Sequence, residues 1–356
     1  MSSVIFTGGG SIGHIAPSVA VANELKSEHP DVEVRFICST KEDDASFLKE
    51  EGFEYSQIDA PRLSLSFPWK FYKAYKESKK ILNELKPRVI FSKGGYVSVP
   101  VCLAAKRMKI PIVLHESDAV MGRANRLIAG WAEDVCLGLP PSVESRKSKV
   151  ESPSTLDIRP STFTGNPIRR DINQGSIAEA QRITGFIGES KHVLLVMGGS
   201  QGSQDLNKFV IDHIDELLKT FNIIHITGHN KKGASNRKGY YSIGFAGDEL
   251  KDLYAITNVA ISRAGANAIT ELAANNIPTV LVPLEGVAHN HQVANAKAVE
   301  SDAFKVVMQK NINEELIQVT KKLLVKSRMS NVECRLSNVE CRSTIQISQI
   351  IAKYLA

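Results

Sequence analysis

The chain has 356 residues, 43% of them hydrophobic, which is long enough for two domains with separate cores and too apolar for global disorder. Its net charge of +6 suits an anionic membrane surface or a phosphorylated ligand and is too small to indicate nucleic acid. No apolar run approaches ~18 residues, so no transmembrane helix is predicted, and an N-terminus that runs straight into a strand predicts no signal peptide.

The five cysteines are an odd number, and none has the spacing of metal ligands. Cys38, Cys102 and Cys136 lie in apolar contexts, which predicts small core residues. The simplest interpretation is a chain kept in a reducing cytosol.

The first predicted elements are a strand at residues 4–6, a glycine loop and a helix that continues to residue 26. Gly8, Gly10 and Gly13 fit the G-x-G-x-x-G pattern of dinucleotide-binding proteins. That pattern also requires an acidic residue at the end of the second strand, which here ends in Cys38-Ser39-Thr40. Glu42 and Asp43 come too late in the chain for this role, so a nicotinamide-dependent enzyme is kept only as an alternative.

Residues 61–80 alternate aromatic side chains with lysines. The composition suits a lipid headgroup region, and it equally suits a helix that buries its aromatic residues and exposes a lysine face. Both interpretations stay open. Farther along, a strand at 88–92 precedes Lys93-Gly94-Gly95-Tyr96, and a strand at 112–114 precedes His115-Glu116.

Residues 142–164 are rich in Ser, Pro and Lys, and they are predicted to be a linker. A strand at 193–197, a glycine loop at 198–203 and a helix from residue 205 then repeat the beginning of the first half. Strand, glycine loop and helix at equivalent places in two halves predict two doubly wound α/β domains that face a cleft.

Residues 259–283 predict one βαβ unit: a strand at 259–262, a small-residue turn at 263–265, a helix at 266–275 and a second strand. Free N–H groups at a helix start attract anions, and small residues let a diphosphate approach the backbone. Glu271 is placed to accept hydrogen bonds from ribose hydroxyls. The alternative is an ordinary turn without a ligand.

A heptapeptide repeats in tandem within residues 330–342. Seven residues make about two helical turns, so the repeat predicts a lengthened helix without a chemical role.

Six stretches together resemble the MurG family of bacterial lipid-linked N-acetylglucosamine transferases. They are the glycine loops 9–14, 94–96 and 198–202, the pair His115-Glu116, the turn Gly-Asn-Pro-Ile-Arg at 165–169, and the stretch 259–295. The resemblance covers nearly the whole chain, with departures at Ile12, Ser117 and Asp118.

This resemblance implies the GT-B architecture. The expected domains are 1–164, on the acceptor and membrane side, and 165–343, which binds the UDP-sugar; a C-terminal helix at about 344–356 packs back on the first. The implied reaction moves N-acetylglucosamine from UDP-GlcNAc to a lipid-linked muramoyl-pentapeptide, at the cytoplasmic face of the plasma membrane, without cofactor or metal.

The resemblance also implies the site residues. The catalytic set is His14, His115 and Glu116. A neutral histidine suits a general base, and the helix N-terminus that carries His14 disfavours the imidazolium, whereas His115 is the candidate to orient or bind the acceptor. The residues expected at UDP-GlcNAc are Ser11, Ile12, Gly13, Asn125, Arg169, Ser200, Ala246, Ala266, Asn267, Ala268, Ile269, Thr270, Glu271 and Gln292. Those expected at the acceptor diphosphate are Gly9, Gly10, Gly94, Gly95 and Tyr96.

Three other activities remain as alternatives. A UDP-sugar 2-epimerase and a glycolipid synthase share the fold, and an NAD-dependent oxidoreductase represents a different class of enzyme.

Overall fold

Two α/β units make up the chain in a computed structural model. It describes residues 2–10, 12–61, 67–140, 161–188, 190–199, 202–229, 231, 233–234, 237–286, 290–329 and 337–355, with backbone only at 12–14, 67, 327–329 and 337–341. One unit comprises Met1–Ile168 with Arg342–Ala356, and the other comprises Arg169–Cys341.

The first unit is a parallel sheet whose strands have the order β3-β2-β1-β4-β5-β6-β7. Its elements are β1 (Ser3–Thr7), α1 (Ile12–Glu28), β2 (Glu33–Ser39), α2 (Glu42–Glu50), β3 (Glu54–Ile58), α3 (Phe67–Leu85), β4 (Val89–Ser92), α4 (Ser98–Arg107), β5 (Ile112–Glu116), α5 (Arg123–Ala129), β6 (Asp134–Leu137) and β7 (Ser161–Phe163).

The core of the first unit lies on both faces of this sheet. Val4 and Phe6 belong to one apolar cluster and Ile5 to another, as expected because successive strand residues point to opposite faces. The first cluster also contains Ile347, Ile350 and other residues near the C-terminus, which lie in the last helix of the chain. Cys38, Cys102 and Cys136 are buried with free thiols, as predicted, and burial raises the pKa of each thiol to about 12.

The second unit is a parallel sheet with the strand order β10-β9-β8-β11-β12-β13. Its elements are α6 (Ile177–Thr184), β8 (His192–Met197), α7 (Gln204–Asp212), α8 (Ile214–Thr220), β9 (Phe221–Ile226), β10 (Tyr240–Ile243), α9 (Leu250–Ile256), β11 (Val259–Ser262), α10 (Ala266–Ala274), β12 (Thr279–Leu281), α11 (His291–Val299), β13 (Phe304–Val306), a 3₁₀ turn (Gln309–Asn311) and α12 (Ile312–Met329). The last helix, α13 (Ser337–Ala352), returns the chain to the first unit.

The predicted doubly wound α/β fold is confirmed in both halves, and one prediction is wrong. Residues 161–163, expected to be linker, form β7 and pair with β6 through Val135–Ser161 and Leu137–Phe163. Ser161 and Thr162 are exposed and only Phe163 is half-buried on this sheet edge, so the segment has no apolar alternation that would have predicted a strand. The rest of the predicted linker up to residue 160, and residues 330–336 of the tandem repeat, lie outside the described residues.

Helix α13 is held against the first unit by side chains near the C-terminus. The Ser348 hydroxyl donates to the carboxylate of Glu28 at 3.0 Å, and the Tyr354 hydroxyl donates to Asp134 at 2.5 Å. None of the described helices has the length and apolar character that crossing a bilayer requires.

In both sheets the strand order reverses next to the first strand of the sheet. In the first unit β1 lies between β2 and β4, and in the second β8 lies between β9 and β11. Ligands of open α/β sheets bind beyond the carboxyl ends of the strands at such a switch point. The predicted glycine loops follow β1, β4 and β8, and the small-residue turn follows β11, so each unit carries two of these segments at its switch point.

Candidate active site

The first glycine loop is fastened by an acidic residue that the sequence did not single out. Gly9 and Gly10 have φ of +148° and +94°, which side chains rarely allow. The buried carboxylate of Asp44 accepts hydrogen bonds from the Gly10 N–H at 2.8 Å and from the Ser39 hydroxyl at 2.5 Å. The Lys41 ammonium donates to the Gly10 carbonyl, so both backbone polar groups of Gly10 are bonded within the protein.

Several predicted site residues belong to the end of this loop and the start of α1. Ser11 and the side chains of Ile12 and His14 lie outside the described residues, while the backbone of Gly13 lies in the first turn of α1. The role of His14 as a base therefore stays a prediction.

The second glycine loop lies directly beside the first, as expected because β1 pairs with β4. A side-chain carbon added at Gly10 would come within 2.9 Å of the Tyr96 ring, and one added at Gly95 within 3.7 Å of the Gly9 carbonyl oxygen. The five residues predicted at the acceptor diphosphate are thus brought together. Gly94 has a φ of +86°, and an added carbon there would lie 1.9 Å from the amide oxygen of Asn125, so only glycine fits.

Glu116 organises the loop that follows β5. Its carboxylate accepts hydrogen bonds from the Asp118 N–H at 2.9 Å, the Gly122 N–H at 3.1 Å and the Asn125 amide at 2.8 Å. Burial raises the pKa of Glu116, helped by the nearby Asp118, while these three hydrogen bonds counteract it. The amide oxygen of Asn125 is buried and makes no hydrogen bond among the described residues.

His115 is fully buried, and both of its ring nitrogens are engaged. Nδ1 lies 2.7 Å from the ammonium of Lys93, which can only donate, so Nε2 carries the proton and donates to the Gly165 carbonyl at 3.0 Å. Burial and the Lys93 charge hold the pKa of His115 well below its usual range. The ring is therefore a neutral link between the second glycine loop and the turn at 165–169, and a catalytic role for it stays a prediction.

Lys93 is a buried residue that sequence reasoning did not select. Its ammonium also donates to the Ser117 hydroxyl at 2.6 Å and lies 3.5 Å from the amide oxygen of Asn166. The available signal was a lysine directly before two glycines together with Ser117, one of the departures from the family pattern.

In the second unit, Arg263 connects the loop after β8 to the turn after β11. Its buried guanidinium donates to the Ser203 hydroxyl at 3.0 Å, the Asp205 carboxylate at 2.9 Å and the Val282 carbonyl at 3.2 Å. Gly202 packs against the Thr227 carbonyl, where an added carbon would come within 1.9 Å. Ser200, predicted at the diphosphate, lies outside the described residues.

Helix α10 begins at this turn after Gly265, an N-cap residue that has no side chain with which to cap the helix. Ala266 is buried, while Asn267 and Ala268 are partly exposed. Ile269 and Thr270 are fully buried, and the Thr270 hydroxyl donates to the Ala266 carbonyl at 2.8 Å. The last two side chains therefore pack the helix, and the predicted contact of these two residues with UDP-GlcNAc stays a prediction.

Glu271 lies on the same helix next to two groups from other parts of the unit. The Tyr254 hydroxyl donates to its carboxylate at 2.9 Å, and the charge of Arg169 acts on the same carboxylate. Arg169 itself donates to Asp248 at 3.0 Å and to the Gly247 carbonyl at 3.4 Å, which places it beside buried Ala246. The fold thus brings together three predicted residues, Arg169, Ala246 and Glu271, the first and last of which are 102 positions apart along the chain.

The remaining predicted contact comes from the segment after β12. The side-chain oxygen of Gln292 accepts a hydrogen bond from the Leu284 N–H at 3.0 Å, and residues 287–289 lie outside the described residues. Asn295, which was not predicted, donates to the Ala264 carbonyl at 3.1 Å and so supports the turn before α10. Phe245, partly exposed beside Ala246, stacks on His229 with ring centroids 4.6 Å apart.

Comparison with known proteins identifies the family. Residues 4–137 match the glycosyltransferase family 28 N-terminal domain, and residues 193–338 match the family's C-terminal domain. A relative from Clostridium botulinum (strain Langeland), named UDP-N-acetylglucosamine–N-acetylmuramyl-(pentapeptide) pyrophosphoryl-undecaprenol N-acetylglucosamine transferase, is 34% identical over 99% of both chains. The chain belongs to the MurG family.

Other relatives agree with this assignment to the MurG family. A transferase of the same name from Lachnoclostridium phytofermentans is 37% identical over 89% of both chains. Among solved structures, MurG from Acinetobacter baumannii has a TM-score of 0.74 at 23% identity and covers 99% of this chain and 100% of its own. A UDP-GlcNAc 2-epimerase from Neisseria meningitidis has a TM-score of 0.66 at 14% identity, with 99% and 100% covered, and so shares the fold.

Proposed function

We propose that this enzyme transfers N-acetylglucosamine from UDP-GlcNAc to the muramoyl 4-hydroxyl of lipid I, with inversion, to give lipid II for peptidoglycan synthesis. The names of the relatives support both substrates, and the two family 28 domains support the transfer of a sugar. Within this fold, the transferase is favoured over the epimerase because the relatives at 34% and 37% identity are named transferases, whereas the epimerase structure is only 14% identical.

The donor site is proposed at the second unit's switch point. The observation that carries it is the interaction of Arg169 with the carboxylate of Glu271, which lies on a helix whose N-cap residue is Gly265. The helix N-terminus and a guanidinium are suited to a diphosphate, and a carboxylate next to them is suited to ribose hydroxyls. Phe245 and Ala246 adjoin Arg169 and are the proposed border of the uracil ring.

The acceptor side is proposed at the paired glycine loops of the first unit. Gly95 and the start of α1 are the backbone positions for the acceptor diphosphate, since both polar groups of Gly10 are bonded to Asp44 and Lys41, and those of Gly94 to the hydroxyls of Ser92 and Ser98. Helix α3 belongs to the same unit and exposes Trp69, Tyr72 and five lysines, and we assign to it the contact with an anionic membrane surface. Peripheral attachment at the cytoplasmic face of the plasma membrane follows.

The chemistry is a single displacement at the anomeric carbon. The 4-hydroxyl oxygen of the acceptor attacks this carbon while the bond to the UDP oxygen breaks and UDP leaves with the electron pair. The hydroxyl proton passes to the base, for which His14 remains the candidate. Arg169 and the N–H groups at the start of α10 stabilise the charge that develops on the leaving diphosphate.

Incubating the protein with radiolabelled UDP-GlcNAc, with and without lipid I in vesicles, tests the function. Radioactivity in the lipid fraction only when lipid I is present is the expected result. Conversion of the donor to its 2-epimer without acceptor would contradict the transferase and support the epimerase. In a parallel incubation with vesicles that carry diacylglycerol instead of lipid I, a labelled glycolipid would support the glycolipid synthase.

A substitution tests the donor site directly. Glu271→Ala is expected to weaken UDP binding by about 1–3 kcal/mol, because a hydrogen bond to a charged group is lost. Glu314→Ala, an exposed carboxylate of the same unit, serves as the control with unchanged affinity. Titration calorimetry measures both, and equal affinities for UDP in the two variants would refute the placement of the donor ribose at Glu271.

A further inference from the structure

Tyr254 is a buried residue of α9 whose hydroxyl faces the proposed donor site. It is 2% exposed, and its O–H donates to Oε2 of Glu271 at 2.9 Å. Among the described residues, no hydrogen bond reaches the other carboxylate oxygen, Oε1. The two residues come from adjacent segments, on either side of β11, so the bond ties α9 to α10.

The environment of the Glu271 carboxylate opposes its charge. Burial raises the pKa of Glu271, whereas the hydrogen bond from Tyr254 and the positive charge of Arg169 lower it. The pKa of Tyr254 is itself raised well above its usual range by burial and by the Glu271 charge. Its hydroxyl is therefore neutral at every working pH and always has a proton to donate.

We propose that Tyr254 is a positioning residue for nucleotide recognition: it holds one carboxylate oxygen of Glu271 so that the other faces the donor ribose. A ribose hydroxyl donates best to a charged carboxylate, and a carboxylate held at one oxygen has lost the freedom to turn away from the sugar. The inference rests on the proposed donor site and adds to it the group that makes Glu271 selective for a nucleotide with intact ribose hydroxyls.

The experiment compares the affinities of UDP, 2′-deoxy-UDP and 3′-deoxy-UDP for the wild type, Tyr254→Phe and Glu271→Ala, by titration calorimetry between pH 6 and 8. The wild type is expected to prefer UDP over at least one deoxy analogue. Tyr254→Phe is expected to lose about tenfold in UDP affinity and much less in affinity for that analogue. As the pH falls, Tyr254→Phe should lose its preference for UDP over that analogue at a higher pH than the wild type does. Without the donated hydrogen bond, Glu271 takes up a proton more readily.

A matched control removes a hydroxyl of the same kind elsewhere. Tyr354→Phe deletes the hydroxyl that donates to Asp134 in the first unit, and it should bind all three nucleotides as the wild type does. Wild-type preference and pH profile in a folded Tyr254→Phe would overturn the inference.

The outcomes separate this inference from the proposed function. If Glu271→Ala and Tyr254→Phe both bind UDP as the wild type does, the proposed placement of the donor site at Glu271 is wrong. If Glu271→Ala loses affinity for UDP and Tyr254→Phe does not, only the role of Tyr254 is wrong. Should Tyr254→Phe not fold, carboxyl ¹³C spectra of the wild type, with Glu271 assigned through Glu271→Gln, give a second measurement. The inference requires that Glu271 is ionised at pH 7. It also requires that the carboxyl resonance shifts more on addition of UDP than on addition of the deoxy analogue that the wild type binds more weakly. A protonated Glu271 at pH 7 would overturn the inference.

Discussion

Lys93, His115 and Ser117 form a buried polar cluster that accounts for a departure from the family pattern. Ser117 is one of the departures from the family pattern, and its hydroxyl accepts a hydrogen bond from the Lys93 ammonium. The same ammonium fixes the tautomer of His115, whose other nitrogen is bonded to Gly165. Because removing a proton from a substrate would require His115 to break one of these bonds, the cluster favours His14 as the base.

The first prediction concerns His14. His14→Ala is expected to lower turnover by roughly 10²–10⁴-fold, because the proton of the attacking hydroxyl then lacks an acceptor. Affinity for UDP and the melting temperature should stay as in the wild type. Turnover is measured with saturating UDP-GlcNAc and lipid I.

The control for this measurement is His29→Ala, which removes an exposed histidine just after α1. Near-normal turnover in His14→Ala would remove this residue from the chemistry and transfer the role to Glu116 or His115.

Among the elements, helix α3 has features of both interpretations that the sequence left open. Ala74, Ser78 and Leu82 are buried, and Tyr75 packs partly against the core of the first unit. Trp69 and Tyr72 are 81% and 52% exposed, on a helix whose lysines are also exposed. Part of the aromatic set thus belongs to the core, and the other part is available to a membrane.

The second prediction follows from that division. Trp69→Ser combined with Tyr72→Ser should weaken sedimentation with anionic vesicles, since apolar area no longer enters the headgroup region, and should leave the melting temperature nearly unchanged. Attachment should weaken further with salt, because each lysine contributes at most ~1 kcal/mol of screened attraction.

Ile187→Ser is the matched control, since Ile187 is 72% exposed and lies in the second unit. The membrane role of α3 is wrong if the double variant sediments like the wild type, or if Ile187→Ser loses as much.

For the whole molecule, buried histidines link the free energy of unfolding to pH. Burial lowers the pKa of His225 to about 4, and its ring is bonded to Tyr240 and Asn207. A histidine with a lowered pKa in the folded state takes up its proton on unfolding. Its contribution to stability is therefore complete above ~6.5 and is lost as the pH falls toward 4. His115 acts in the same direction, while the raised pKa values of Glu116 and Glu271 act in the opposite one.

The third prediction isolates this contribution. Between pH 7.5 and 5.5, protonation of His225 in the unfolded state should cost the wild type about 1.4 kcal/mol of unfolding free energy, and His225→Gln should not show this loss. Glutamine can still donate to Asn207 and accept from Tyr240. Urea titrations at both pH values measure the difference, with His29→Gln as an exposed control that keeps the wild-type pH dependence. An equal pH dependence in wild type and His225→Gln would contradict the burial of a neutral histidine.

The elements that carry the site could be predicted from sequence patterns alone. Strand, glycine loop and helix occur at the start of both halves, and the bounds predicted for β4, β11 and α10 agree with the structure to within one residue. These patterns are local, because apolar runs, glycines and helix starts depend on neighbouring residues. The family could be inferred for the same reason, since its motifs are short stretches around those loops.

The packing of the folded chain set which residues meet. The parallel strands bring together segments that lie 17 to 34 positions apart along the chain. The hydrogen-bonded pairs that result are Asp44 with Gly10, Lys93 with His115, and Tyr254 with Glu271. It also decided that Ile269 and Thr270 are buried and that Trp69 is exposed. Side-chain direction and burial depend on packing between elements, which no local pattern encodes, and that packing sets the hydrogen bonds and pKa shifts of the candidate site.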